Sequence, residues 1–221
     1  MHCRGRLQLR GCCVIVRNIY PLNQALIIFI RNPILGKVKT RLARTVGDEQ
    51  ALSIYKELLK HTHDITQTLP CDKYVFYADS ITESDIWENS IYRKLMQSGK
   101  DLGERMQAAF ELLFSKGYQH ICIIGSDCYE LTTEIIQQAF DPLRQYDAVI
   151  GPSVDGGYYL LGLSRMQSSL FTSIEWSTDK VLAQTINACI AVHSSYILLS
   201  TLHDIDDEQD WIQYQTKVAS L

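Results

Sequence analysis

The sequence predicts an α/β domain in which a mostly parallel central sheet is covered by helices on both faces, three layers in all. Three observations predict it. Short, unbroken apolar runs at 25–30 and 121–124 have the character of strands buried on both faces. Segments with apolar residues at helical spacing separate such runs. No repeat, low-complexity tract or Pro/Gly/Ser linker breaks the alternation.

The first strand is the run at 25–30. A helix begins at Asp48–Glu49, acids suited to a helix start, and carries Ala51, Ile54, Tyr55, Leu58, Leu59 and Ile65 on one face. A second strand covers 74–77 and ends at Asp79, and the stretch 81–92 is expected to form a short helix. Asp101 caps a helix whose apolar face holds Met106, Ala109, Phe110 and Leu113, and Gly117 stops it. The strand at 121–124 runs into Gly125-Ser126-Asp127. Thr132 or Thr133 starts another helix, through Ile135, Ile136, Ala139, Phe140 and Leu143. Strands at 148–150 and 158–161 flank Gly151-Pro152 and Asp155-Gly156-Gly157, a strong turn signal. A helix from about Thr178, a strand at 196–199 and a final helix from Asp207 complete the order.

Bulk properties narrow the function classes. With 46% hydrophobic and 21% charged residues in 221, the chain has ordinary globular composition and room for one core. Residues 1–22 carry Arg4, Arg6, Arg10 and Arg17 and no acid, so the rest is more acidic than the net charge of −4 suggests. An acidic body argues against a nucleic-acid partner. Residues 1–22 are read as a disordered or spurious N-terminal extension, and 23–221 as a single domain. Seven cysteines without a CxxC pair favour reduced thiols and a cytoplasmic address. No apolar run approaches the ~20 residues of a membrane span.

In such a sheet, ligands sit beyond the carboxyl ends of the strands, so residues just after strands are the candidates. After the first strand come Lys37, Lys39, Arg41 and Arg44, beside Gly36. Cations that dense repel one another unless an anion shares them, and both side-chain types suit phosphate oxygens. The loop is neither a Walker A nor a G-x-G-x-x-G sequence. Asp127 follows a buried strand, where it suits a turn or cap as well as a ligand for a hard divalent cation, which takes one or two carboxylates plus substrate phosphates. The acids 204–207 offer a second ligand or a cap for the last helix. Asp155 serves the turn, and it also suits a base or hydroxyl acceptor beside two glycines that let a ligand approach the main chain. Arg105 is placed to reach a phosphate or carboxylate. His61 and His63 are expected on a solvated helix face, and no G-x-S-x-G elbow occurs.

The ordered motifs R-N-P-x-x-G-K-V-K-T-R-L, D-L-G-E-R-M, G-S-D-C, G-P-x-x-D-G-G-Y-Y-L-x-G-L, W-S-T and D-I-D-x-x-x-D extend from about Ala25 to Trp211. Their combination resembles a glycosyltransferase-like family of the nucleotide-diphospho-sugar transferase superfamily, related to 2-phospholactate and molybdenum cofactor guanylyltransferases. The resemblance implies the GT-A (Rossmann-like) fold, a three-layer α/β/α sandwich. It further implies nucleotide binding by Arg31, Pro33, Gly36, Lys37, Lys39 and Arg41. Asp127, with Asp206 as a more distant transfer, looks like a ligand for Mg²⁺ or Mn²⁺. Arg105, Asp155, Gly156, Gly157 and Tyr158 look like the acceptor side, with Asp155 and Lys37 as catalytic candidates. Tyr129 departs from the proline common after G-S-D-C.

The expected function is metal-dependent transfer from a nucleotide-sugar to a small-molecule acceptor. Nucleotidyl transfer from a nucleoside triphosphate, with release of pyrophosphate, is the alternative. A catalytically silent nucleotide-binding module is a third reading.

Overall fold

The computed structural model describes residues 23–218; the expected extension at 1–22 lies outside them. One seven-stranded sheet organises the described residues. Its strands are β1 (Gln24–Ile30), β2 (Asp72–Tyr77), β3 (Tyr92–Met96), β4 (His120–Ile124), β5 (Ala148–Pro152), β6 (Tyr158–Leu163) and β7 (Tyr196–Leu198), in the order β3-β2-β1-β4-β6-β5-β7. All pairs are parallel except those of β6, which runs antiparallel to β4 and β5. The helices are α1 (Thr40–Val46), α2 (Asp48–Thr66), α3 (Leu102–Ser115), α4 (Thr133–Phe140), α5 (Val181–Ala191) and α6 (Glu208–Val218).

Period-two alternation sorts β1 between two cores. Leu26, Ile28 and Ile30 pack with Tyr55 and Leu59 of α2 and Ile136 and Phe140 of α4. Ala25 and Ile27 face the other way, toward Met106, Ala109, Phe110 and Leu113 of α3. This three-layer arrangement is the predicted one. A third cluster joins Leu42, Ile54 and Leu58 to Ile205 and Trp211, fastening α6 against α1 and α2. Expected caps form: the Asp101 side chain accepts from Glu104 N at α3, and Thr132 from Ile135 N at α4.

The stretch 81–92 is not a helix. Asp85 takes the local bonds instead, accepting from Trp87 N at 3.0 Å, Tyr77 Oη at 2.6 Å and Lys94 Nζ at 2.8 Å. Short acidic side chains that compete with backbone carbonyls unmake helical turns in this way. The strand β3 that follows lies at the sheet edge, where only Tyr92 is buried, so it lacks the apolar run that marks the central strands. The two histidines of α2 are not on a solvated face. His61 stacks on Tyr129, with ring centroids 4.2 Å apart, and His63 packs against Trp87 and Tyr92. Tyr129 thus joins an aromatic stack that continues to Tyr214 of α6.

The order of the sheet locates the site. Beyond β1 the chain moves outward through β2 and β3, then returns to place β4 on the opposite side of β1. The loops after β1 and β4 therefore diverge, opening a crevice at the carboxyl edge.

Candidate active site at the carboxyl edge of the sheet

A cavity of about 900 Å³ fills that crevice. One wall is the segment after β1, from which Arg31, Lys37, Lys39 and Arg41 line the cavity. Val38 is buried in the core between Lys37 and Lys39 and anchors the loop. Asn32 is also buried: its amide donates to Ser80 O at 2.8 Å and its side-chain oxygen accepts from Ser80 N at 3.2 Å, pinning the loop to the segment after β2. Tyr55 of α2 holds the loop from below. Its hydroxyl accepts from Arg31 N at 2.9 Å, donates to Arg31 O at 3.0 Å, and lies 3.5 Å from Ser126 Oγ. Burial, reinforced by the charge of Asp127, raises the phenol well above its ordinary pKa, so Tyr55 stays protonated as a strut.

The facing wall follows β4 and β7. Asp127 is 45% exposed in its side chain and Asp206 is 36% exposed. The two segments are tied by Ile205 N, which donates to Asp127 O at 2.9 Å. Between the carboxylates sits the Lys39 ammonium, 3.1 Å from Asp127 Oδ1 and 3.5 Å from Asp206 Oδ1, donating also to Ile205 O at 2.6 Å. Burial works to lower the Lys39 pKa, but Asp127 and Asp206 together outweigh it and hold the ammonium charged. Arg41 reaches Asp206 Oδ2 at 3.4 Å.

The acids at 204–207 divide three ways. Asp206 faces the cavity with Lys39 and Arg41. Asp207 caps α6, accepting from Gln209 N and Asp210 N. Asp204 is partly buried on the cavity lining and accepts from Ser153 Oγ at 2.7 Å. Burial, with Asp127 and Asp155 adding like charge, raises its pKa to about 7.

The third wall is α3 and the segment before α5. Arg105 and Tyr158 line it together with Lys100, Trp176 and Ser177. Arg105 Nε donates to Gly99 O at 3.1 Å, and Arg105 has no carboxylate partner among the described residues. Gly103 lies directly under the Trp176 indole, where any side chain would collide.

Pro33, Gly36, Asp155, Gly156 and Gly157 do not line the cavity. Gly36 adopts φ 72° in the turn before Lys37. Asp155 Oδ1 accepts from Gly157 N at 2.9 Å, the geometry of a side-chain-closed turn. Gly156, at φ 89°, abuts the backbone of Asp179, where a side chain would clash. Tyr55, Asn32 and Trp176 brace or line the cavity without having been named as site candidates. Asn32 closely follows β1, whereas Tyr55 lies within α2 and Trp176 before α5, where no strand end marks them.

As a metal centre the site offers two carboxylates and one carbonyl, hard oxygens already gathered around a cation. Among the described residues, no group of three or more His, Cys, Asp and Glu could hold a metal. No helix among the described residues is long and apolar enough to cross a membrane.

Residues 61–178 match the family described as "Uncharacterized protein conserved in bacteria (DUF2064)". No curated protein sequence matches the chain. Among solved structures, the chain is similar to a protein of Desulfovibrio desulfuricans G20 provisionally assigned as a nucleotide-diphospho-sugar transferase. The two share 29% identity over 88% of this chain and 87% of the other, with a TM-score of 0.81. The fold also matches the inositol-1-phosphate CTP transferase of T. maritima, at 12% identity, TM-score 0.55, and coverage of 90% and 96% of the two chains. A third likeness is to glucosyl-3-phosphoglycerate synthase of Mycobacterium tuberculosis, solved with Mn²⁺ and UDP, at 10% identity, TM-score 0.54, and coverage of 88% and 76%. These likenesses agree with the predicted nucleotide-diphospho-sugar transferase fold.

Proposed function

We propose a function from one premise: the chain belongs to that bacterial family of DUF2064 proteins. It is a Mg²⁺- or Mn²⁺-dependent transferase that takes a group from a nucleotide-sugar and passes it to a small-molecule acceptor. One observation carries the reading. A cationic loop lines a 900 Å³ cavity at the switch point of the sheet, and its Lys39 meets Asp127 on the same lining at 3.1 Å. The likeness to transferases on the same fold supports it.

The chain's own residues divide the work. Arg31 and Lys37 are exposed cations with no carboxylate partner among the described residues, free to meet phosphate oxygens. Lys37 and Arg41 offset the charge that grows on the departing diphosphate. Asp127 and Asp206 hold the divalent cation, which when bound supplies Lewis-acid stabilisation of the phosphates. Tyr55 fixes the distance between the Arg31 main chain and Ser126, and so between the two walls. Trp176, Tyr158 and Arg105 bound the side away from the cationic loop, a wall suited to the transferred group and acceptor. Asp155, Gly156 and Gly157 support that wall by setting the turn against Asp179.

A second reading, nucleotidyl transfer from a triphosphate, is favoured by the four cations, Arg31, Lys37, Lys39 and Arg41, that line the cavity after β1. Pooled nucleotide-sugars and nucleoside triphosphates, each incubated with Mg²⁺ or Mn²⁺, separate the two. Release of nucleoside diphosphate supports glycosyl transfer, whereas pyrophosphate supports nucleotidyl transfer. Nucleotide binding without turnover, unchanged by Asp127→Ala, would show a silent binding module instead.

A further inference from the structure

We infer that Lys39 and the divalent cation compete for one set of oxygens, so that metal loading displaces the Lys39 ammonium from between Asp127 and Asp206. The inference rests on the reading of those two carboxylates as metal ligands, and it adds a gate to them.

The geometry of the ammonium carries it. An ammonium has three N–H donors and no acceptor. Lys39 directs its donors at three oxygens, Ile205 O at 2.6 Å, Asp127 Oδ1 at 3.1 Å and Asp206 Oδ1 at 3.5 Å. With its side chain 6% exposed, it has no donor left for a phosphate while it stays there. The same three oxygens, two carboxylate and one carbonyl, are the hard donors that Mg²⁺ and Mn²⁺ take. The two cations bid for the same Oδ1 atoms and carbonyl, and their mutual repulsion at such separations in a partly buried site favours one occupant over both.

The backbone agrees with an arrangement held by these contacts. Lys39 stands at the N-cap of α1 with φ 46° and ψ 44°, the left-handed region that non-glycine residues rarely occupy. No side-chain cap bond compensates at that helix start. Asp206 keeps a partner when Lys39 leaves, since Arg41 holds its other oxygen at 3.4 Å. Lys39 lines the cavity beside Lys37 and Arg41, so its released head stays with the other cations proposed to meet phosphate. A free site is thereby kept neutralised, and the lysine becomes available to substrate only when metal arrives.

Mn²⁺ binding to the full chain without nucleotide, followed by the loss of the free-ion electron paramagnetic resonance signal, tests this apart from catalysis. Lys39→Met should bind Mn²⁺ about tenfold or more tightly than the native chain, because a like charge has left the ligand set. Lys39→Arg, which keeps the charge, should stay close to native affinity, and Lys39→Met/Asp127→Asn should lose the gain. Circular dichroism on each variant confirms folding, and Lys39→Gln, which retains hydrogen-bond donors, replaces the methionine variant if that one unfolds. Equal Mn²⁺ affinity in native and charge-removed chains overturns the competition, as does tightening by Lys39→Arg equal to that by Lys39→Met. If Asp127→Asn leaves Mn²⁺ affinity unchanged in every background, the failure lies with Asp127 as a ligand rather than with the gate.

Discussion

The two edges of the sheet treat charge in opposite ways. At the amino edge, charged groups close on one another. Arg93 meets Asp72 at 3.3 Å and donates to the Tyr74 and Tyr118 hydroxyls at 2.9 and 3.0 Å, while Tyr118 donates to Asp72. Asp147, just before β5, accepts from Arg165 Nε at 2.7 Å and from Ser195 N and Oγ at 2.9 and 3.0 Å. At the carboxyl edge, by contrast, Arg31, Lys37 and Arg105 have no carboxylate partner among the described residues. Two aspartates there share one buried lysine, and the partly buried Asp204 has its pKa raised. Balanced charge serves the fold, whereas charge left open on a cavity serves a ligand that completes it.

The sharpest way to break this contrast is at Asp127. Asp127→Ala should lower metal-dependent turnover by about 10²–10³-fold, the scale of removing a principal electrostatic stabiliser. Steady-state kinetics at saturating metal measures it, and native-like turnover would dissolve the distinction between the edges. Lys37→Ala comes next. It should weaken nucleotide binding by roughly tenfold or more, as one lost charge-assisted hydrogen bond to phosphate implies. Because the side chain is exposed and has no carboxylate partner among the described residues, stability should change by no more than the roughly 0.5 kcal/mol usual for surface changes. Calorimetric titration and thermal melts, run side by side, resolve the two effects.

Tyr55→Phe should cross the boundary, since it removes a strut that is both structural and part of the site. Leaving the Arg31 main-chain groups without their buried partner costs about 1–3 kcal/mol of stability. Turnover should fall as well, because the walls lose their fixed spacing; denaturant unfolding and kinetics on the same preparation check both. The smallest effect belongs to the amino edge. Arg165, with Ser195 assisting, holds the Asp147 carboxyl below its ordinary value of 3.8, at about 2. A depressed folded pKa means that this contribution to stability is present above 3.8 and is lost as pH falls toward 2. Asp147→Asn should flatten the pH dependence of the melting temperature in that window and leave turnover at neutral pH unchanged.

Much of the fold was legible because it is written locally. Runs such as Ala25 to Ile30 and the helical spacing of Met106, Ala109, Phe110 and Leu113 depend on neighbours in the chain. Where locality weakened, so did the reading. The edge strand β3 buries one residue, and the acids and serines around Asp85 imitate a helical stretch while closing turns. His61 and His63 looked solvated because their partners, Tyr129 and Trp87, lie far away in sequence.

The sequence by itself determined that strands and helices alternate, that a cationic loop follows the first strand and that an aspartate follows the strand at 121–124. Each of these is a property of residues next to one another, set by side-chain period and turn chemistry. Only the tertiary structure decided that Lys39 reaches Asp206, 167 residues on, that Trp176 lies over Gly103, and that Asp155 closes a turn outside the cavity. Those relations depend on the order in which strands join the sheet, and hydrogen bonding between strands leaves no periodic trace in the chain that carries it.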